Sequence, residues 1–153
     1  MKKYIFILAS LLVLGIFNYS IYQKESLKNN GEILLLELAP TDPRSLMQGD
    51  YMRLRYAIGG VTTNEIGYIV VTLDKNKVAT FKRIHHEEPV VEGEKLLHYH
   101  AKEGNIQIIP DSFMFQEGQA ALYMQAKYGV FRYDNKGNYI LVGLADKAFQ
   151  IIR

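Results

Sequence analysis

Residues 4–21, YIFILASLLVLGIFNYSI, form an unbroken apolar run with no side chain charged at pH 7. At 1.5 Å per residue a helix of that length is about 27 Å long, close to the hydrocarbon thickness of a bilayer. The pattern then changes. Residues 23–31, QKESLKNNG, are polar, poor in apolar positions and end in Asn-Asn-Gly, which predicts a short spacer rather than a folded element. From residue 32 onward the chain breaks into short β-type runs at 32–38, 51–58, 65–73, 78–84, 95–101, 105–109, 129–133 and 138–144. Turn-forming sequence separates several of them. Asp74-Lys75-Asn76-Lys77, Lys102-Glu103-Gly104 and Asp134-Asn135-Lys136-Gly137 all read as hairpin loops. Residues 119–128, QAALYMQAKY, are instead built from good helix formers and stop at Gly129, a suitable residue just past a helix end, so they predict the domain's main helix.

This alternation predicts a mainly β (α+β) protein, with a single antiparallel β domain and one packed helix behind an N-terminal transmembrane helix. The expected layout is a signal-anchor helix over residues 1–22, a spacer over 23–31 and an extracytoplasmic domain over 32–153. A cleaved signal peptide is the competing reading of the first segment. Cleavage calls for small residues three apart just beyond the apolar core, but Phe17-Asn18-Tyr19-Ser20-Ile21-Tyr22 stands there. Tyr4, Tyr19 and Tyr22 sit where aromatic rings favour the two membrane interfaces, and Lys2 and Lys3 direct the N-terminus to the cytoplasm. A retained anchor is therefore expected.

Charge sharpens this topology. Two of the 18 basic residues, Lys2 and Lys3, precede the apolar run, which leaves 16 against 16 acidic residues beyond it. The net charge of +2 thus belongs wholly to the N-terminus, and a formally neutral domain lacks the basic patch that nucleic-acid binding needs. Cysteine is absent, which excludes a disulfide framework, thiol chemistry and lipoprotein processing.

The most distinctive stretch runs from Asp42 to Tyr56. Asp42-Pro43 sets a turn, Gly49 permits a reversal, and Asp50 is placed to accept backbone hydrogen bonds at the mouth of the following strand. Alternation along that strand puts Met52, Leu54, Tyr56 and Ile58 on a core face, and Tyr51, Arg53 and Arg55 on an exposed aromatic and cationic face that reads first as a solvated face and second as one that could meet a partner or lipid head groups. Gly49-Asp50-Tyr51-x-x-Leu54-x-Tyr56, preceded by Pro40-x-Asp42-Pro43-Arg44, resembles the signature of the GDYxxLxY family of bacterial membrane-anchored proteins. Glu117-Gly118, Ala126-x-Tyr128-Gly129-Val130-x-Arg132, Gly137 and Leu141-x-Gly143-Leu144-Ala145-Asp146 are similar to its second block. The resemblance implies a cell-envelope protein, in a family often encoded beside a multi-span membrane protein, and it carries no catalytic residue over.

Three candidate chemistries compete with a binding role. Membrane-tethered signal peptidases also place a Ser-Met segment ahead of a Gly-Asp strand, so Ser45 is a candidate nucleophile with Lys82 as its base, although Met does not follow Ser45 directly. His98 and His100 project from one strand face and would hold a metal if His86, Glu87 or Glu88 joined them. Unoccupied, the same pair would respond to acidity near pH 6. The carboxylate pairs Glu87-Glu88 and Glu92-Gly93-Glu94 read as solvated loops, and Gly59-Gly60 has none of the P-loop spacing. The leading expectation is a non-enzymatic module without a cofactor, tethered to the membrane and serving a membrane-protein partner; an envelope serine peptidase is the alternative.

Overall fold

The computed structural model describes residues 2–39 and 51–152. Its first element, α1, is one helix over Lys2–Asn30. The large apolar residues from Tyr4 to Tyr22 are exposed to the surroundings, so none of this face packs on the protein itself. The helix is long and apolar enough to cross a membrane. Two of its internal polar side chains bond back to the helix: Ser10 Oγ donates to the Phe6 carbonyl at 3.0 Å and Asn18 Nδ2 to the Leu14 carbonyl at 2.8 Å. Such back-bonding lowers the cost of placing a hydroxyl or an amide in an apolar environment.

The helix does not stop where the apolar run stops. Residues 23–30, expected as a spacer, continue α1 without a break. Gln, Lys, Glu and Leu propagate helices readily, and Asn29 and Asn30 reach back four residues to Glu25 and Ser26. Gly31 ends the helix. Its N–H still bonds the Leu27 carbonyl at 2.8 Å, and a Cβ there would lie 2.5 Å from that carbonyl oxygen, so no side chain fits.

Among the described residues nine strands follow: β1 (Glu32–Glu37), β2 (Tyr51–Arg53), β3 (Gly67–Leu73), β4 (Ala79–Ile84), β5 (Glu94–Lys102), β6 (Asn105–Gln107), β7 (Ser112–Met114), β8 (Tyr128–Tyr133) and β9 (Tyr139–Ala145). They form three antiparallel sheets ordered β1-β8-β9, β2-β7 and β4-β3-β5-β6. A parallel bridge between Leu35 and Val78 links the first sheet to the third. Alternate residues of each strand meet in one core, where Leu34 and Leu36 of β1, Ile69 and Val71 of β3, Leu97 and Tyr99 of β5 and Phe131 and Tyr133 of β8 are buried together. The period of two in these strands is what makes one face of each sheet apolar.

Two predicted elements differ. The helix expected over 119–128 shrinks to α2 (Ala120–Tyr123). Tyr128 and Gly129 belong to β8, where they pair with Ala145 and Leu144, and the Lys127 N–H bonds the Ala145 carbonyl at 2.8 Å. Tertiary pairing with β9 outcompetes local helix propensity there. The run 51–58 is a strand only to Arg53, after which Ala57–Gly60 forms a 3-10 turn.

Candidate functional site

The motif strand buries the residues that its alternation singles out. Met52 and Leu54 are 3% exposed, and Tyr56 and Ile58 are 7% exposed. Tyr51, Arg53 and Arg55 lie on the outer side, with Tyr51 opposite the strongly exposed Met114 of β7. Tyr56 is the hinge of the arrangement. Its hydroxyl donates to the Pro110 carbonyl at 2.8 Å, and its ring meets Phe131 edge-on at 5.6 Å. Burial, with the neighbouring Tyr139 and Asp111, pushes the Tyr56 hydroxyl well above the usual phenol range, so it acts as a neutral donor. Asp42, Pro43, Arg44, Ser45, Gly49 and Asp50 lie outside the described residues.

The C-terminal block closes onto the same ring. A Cβ on Gly129 would lie 3.0 Å from both the Tyr56 and the Phe131 rings, so this glycine is the gap into which Tyr56 fits. Three residues on, Arg132 Nη1 donates to the Gly31 carbonyl at 2.7 Å. A guanidinium bonded to the backbone just past the end of α1 also complements the negative end of the helix dipole. Next to it, the Tyr133 hydroxyl donates to Glu32 at 2.7 Å, while Lys95 stands 4.0 Å from the same carboxylate. Burial, reinforced by the Glu32 carboxylate, raises the Tyr133 hydroxyl far above its ordinary range. The chain belongs to the GDYXXLXY family. The family's model, described as GDYXXLXY protein, matches residues 13–144 and so takes in the second half of the apolar run, the joint at Gly31 and the described strands up to Leu144 in β9. No curated protein and no solved structure matches the chain.

In this family member the joint opens sideways into a groove of about 750 Å³. One wall is the end of α1, through Tyr22, Lys24 and Leu27; the other is His98, His100 and the β8–β9 hairpin with Lys136. The hairpin is built by Asp134, whose carboxylate accepts from the Lys136 and Asn138 N–H groups at 2.9 and 3.0 Å and from Asn138 Nδ2 at 2.9 Å. Gly137 takes φ +86°, and a Cβ there would fall 2.8 Å from the Tyr68 ring. The Gly137 carbonyl accepts from the His98 N–H, and Tyr139 donates to the His98 carbonyl at 2.7 Å, so the hairpin is latched to β5.

His98 and His100 are neighbours, with ring centroids 4.9 Å apart, and the far side of His98 meets Tyr68 at 5.3 Å. Burial, then the nearby His100, holds His98 below the usual imidazole range. Among the described residues no group of three or more His, Asp or Glu side chains comes together as a metal site, so the two rings stand as a pair. Lys82 is also committed: its ammonium bonds Glu94 at 2.7 Å. Glu94 corrects the reading of residues 92–94 as a solvated loop. It opens β5, its side chain is only 3% exposed, and it also binds Arg83 at 2.8 Å and the Val91 N–H at 3.2 Å. The Lys82 hydrogen bond above all, with Val91 and Arg83, lowers the Glu94 carboxyl to about 2 against the cost of its burial. Glu88 joins the cluster through Arg83 at 2.8 Å. The sequence carries a faint sign of this network in the Lys82-Arg83 and Glu-rich pairing, but the hydrogen bonds depend on β4 and the start of β5 flanking β3 on opposite sides.

Proposed function

We propose that this protein is a membrane-anchored accessory module whose β domain, held on the extracytoplasmic face, binds or stabilises a membrane-protein partner. The observation that carries this reading is the joint. An apolar helix able to cross a bilayer runs straight into the domain through Gly31 and is bonded there by Arg132, so the domain keeps a set position against the membrane instead of drifting on a tether. The positively charged Lys2 and Lys3 support an inward N-terminus. The exposed Tyr51, Arg53 and Arg55 edge offers the mix of aromatic and cationic groups that interfaces favour. The described motif residues Leu54 and Tyr56 serve packing, which fits a scaffold better than a catalytic centre. For the Ser45 and Lys82 alternative, a base must be desolvated and unpaired; Lys82 is half-exposed and ion-paired to Glu94.

Photo-crosslinking from position 53 of the full-length protein in native membranes, followed by purification, tests the reading. One specific membrane-protein adduct, lost when Arg55 is replaced by Glu, is the expected result. Loss of phenotype in Ser45→Ala with the adduct intact would favour the peptidase instead.

A further inference from the structure

We propose that the groove between the end of α1 and the β domain binds the phosphate of an anionic lipid headgroup, in the leaflet on the domain's side. This rests on α1 crossing a bilayer, as the proposed function does, but not on any protein partner. Depth gives the first argument. The apolar run ends at Ile21, and Asn30 lies about 13 Å further along the helix axis. The headgroup layer is about 5–7 Å thick on each side of the hydrocarbon. The groove is lined from Ser20 to Asn30, so its inner end lies among the lipid phosphates and its outer end in water. Because His98, His100 and Lys136 share that groove, the β8–β9 hairpin and the edge of β5 rest on the headgroup layer as well.

Charge gives the second argument. The groove has two carboxylates, and both are already engaged. Glu32 accepts from Tyr133 and faces Lys95, while Asp134 is spent on its own hairpin. Among the described residues no carboxylate pairs with Lys24 or Lys136. Lys24 lines the groove from α1 and Lys136 from the β8–β9 hairpin, together with His98 and His100, whose rings are 4.9 Å apart. Counting Lys95, which faces Glu32, three ammonium groups stand against two carboxylates around the groove, and the donors left open to a ligand are those of Lys24 and Lys136. A phosphodiester monoanion at the depth of Tyr22 matches them, and the acyl chains of the same lipid would lie along Phe17 and Ile21, both exposed on α1. Depth and the apolar stretch beneath the groove select a lipid over a soluble phosphate.

The test is native mass spectrometry of the full-length protein in detergent, titrated with phosphatidylglycerol, phosphatidylcholine or inorganic phosphate. One phosphatidylglycerol per chain is expected to be retained in preference to phosphatidylcholine. Affinity should fall about fivefold for each lysine removed in Lys24→Gln and Lys136→Gln. Lys75→Gln with Lys102→Gln, an equal charge change on exposed hairpins away from the groove, should leave it unchanged. Equal losses in the two double variants would mean unspecific attraction and overturn the proposal. So would equal retention of phosphatidylcholine, or displacement of the lipid by inorganic phosphate at matching concentration. A protein adduct from position 53 without lipid retention would sink this inference alone; lipid retention without an adduct would sink only the partner.

Discussion

Helix α1 and the β domain are both rich in large apolar residues, yet they use them in opposite ways. In the domain Leu34, Ile69, Val71, Leu97 and Phe131 are fully buried against one another. In α1 Phe6, Leu8, Leu11, Leu12 and Phe17 touch no other part of the chain closely enough to be covered. The domain supplies its own apolar environment; the helix needs one from outside. Sheets bury one face by pairing strands from far along the chain, whereas a single helix satisfies every backbone group by itself and can leave its whole surface to lipid. The joint at Gly31 is where the two regimes meet.

The contrast breaks most sharply at Tyr56. Replacing it with Ala should destabilise the domain by about 3–5 kcal/mol, read as a lower denaturant midpoint by tyrosine fluorescence. Leu11→Ala, on the exposed surface of α1, should leave that midpoint within about 0.5 kcal/mol of wild type. A comparable loss in both would mean that α1 packs on protein after all. Gly129→Ala comes next, because the new methyl group would press on Tyr56 and Phe131 at 3.0 Å; crowding of this kind costs about 1–3 kcal/mol, and Tyr56→Leu in the same chain should recover part of it. Arg132→Ala should cost the domain about 1 kcal/mol and should broaden the distance distribution between spin labels placed on α1 and on β4. An unchanged distribution would show that the bond to Gly31 does not set the angle.

Acid gives a subtler separation. Glu94 has a folded-state carboxyl near 2 against an ordinary 4.5, so its contribution is complete above about pH 4.5 and is lost as pH falls towards 2. His98 titrates below 6.5 in the folded domain, so the unfolded chain takes up its proton first and stability declines as pH drops below 6.5. Denaturation midpoints should therefore fall in two stages on acidification. Glu94→Gln should remove the lower stage and His98→Gln the upper one, while the helicity of α1 in micelles should stay level throughout. A single stage in the wild type would mean that only one of these groups is tuned as described.

The alternation of residues 52–58 foretells which of them enter the core, because a pleated strand offers only two faces and the apolar residues occupy one. The same logic places β3, β4, β5, β8 and β9 to within a few residues. It overlooks β7, whose three residues pair with β2 although β3 to β6 lie between them in sequence. Helix propensity misleads at 119–128, where β8 claims Tyr128 for β9, and polarity misleads at 23–31, where nothing interrupts α1 before Gly31. The groove is not legible at all. The spacing of His98 and His100 gives them a shared face, but Lys24, Lys136 and Tyr139 are far apart in sequence and gain meaning only when the β8–β9 hairpin docks beside the end of α1.

By itself, then, the sequence determined the apolar helix, its charged flank, the β character of the remaining chain and the family, since each depends on local composition, on period or on a contiguous motif. Tertiary structure alone decided where those parts meet. Gly129 opens for Tyr56, Arg132 grips the chain just beyond the helix, and Glu94 is buried in spite of its Gly-containing loop. These are contacts between residues 11 to 101 positions apart, and their geometry is settled by which strands pair, a cooperative choice that no local window of residues contains.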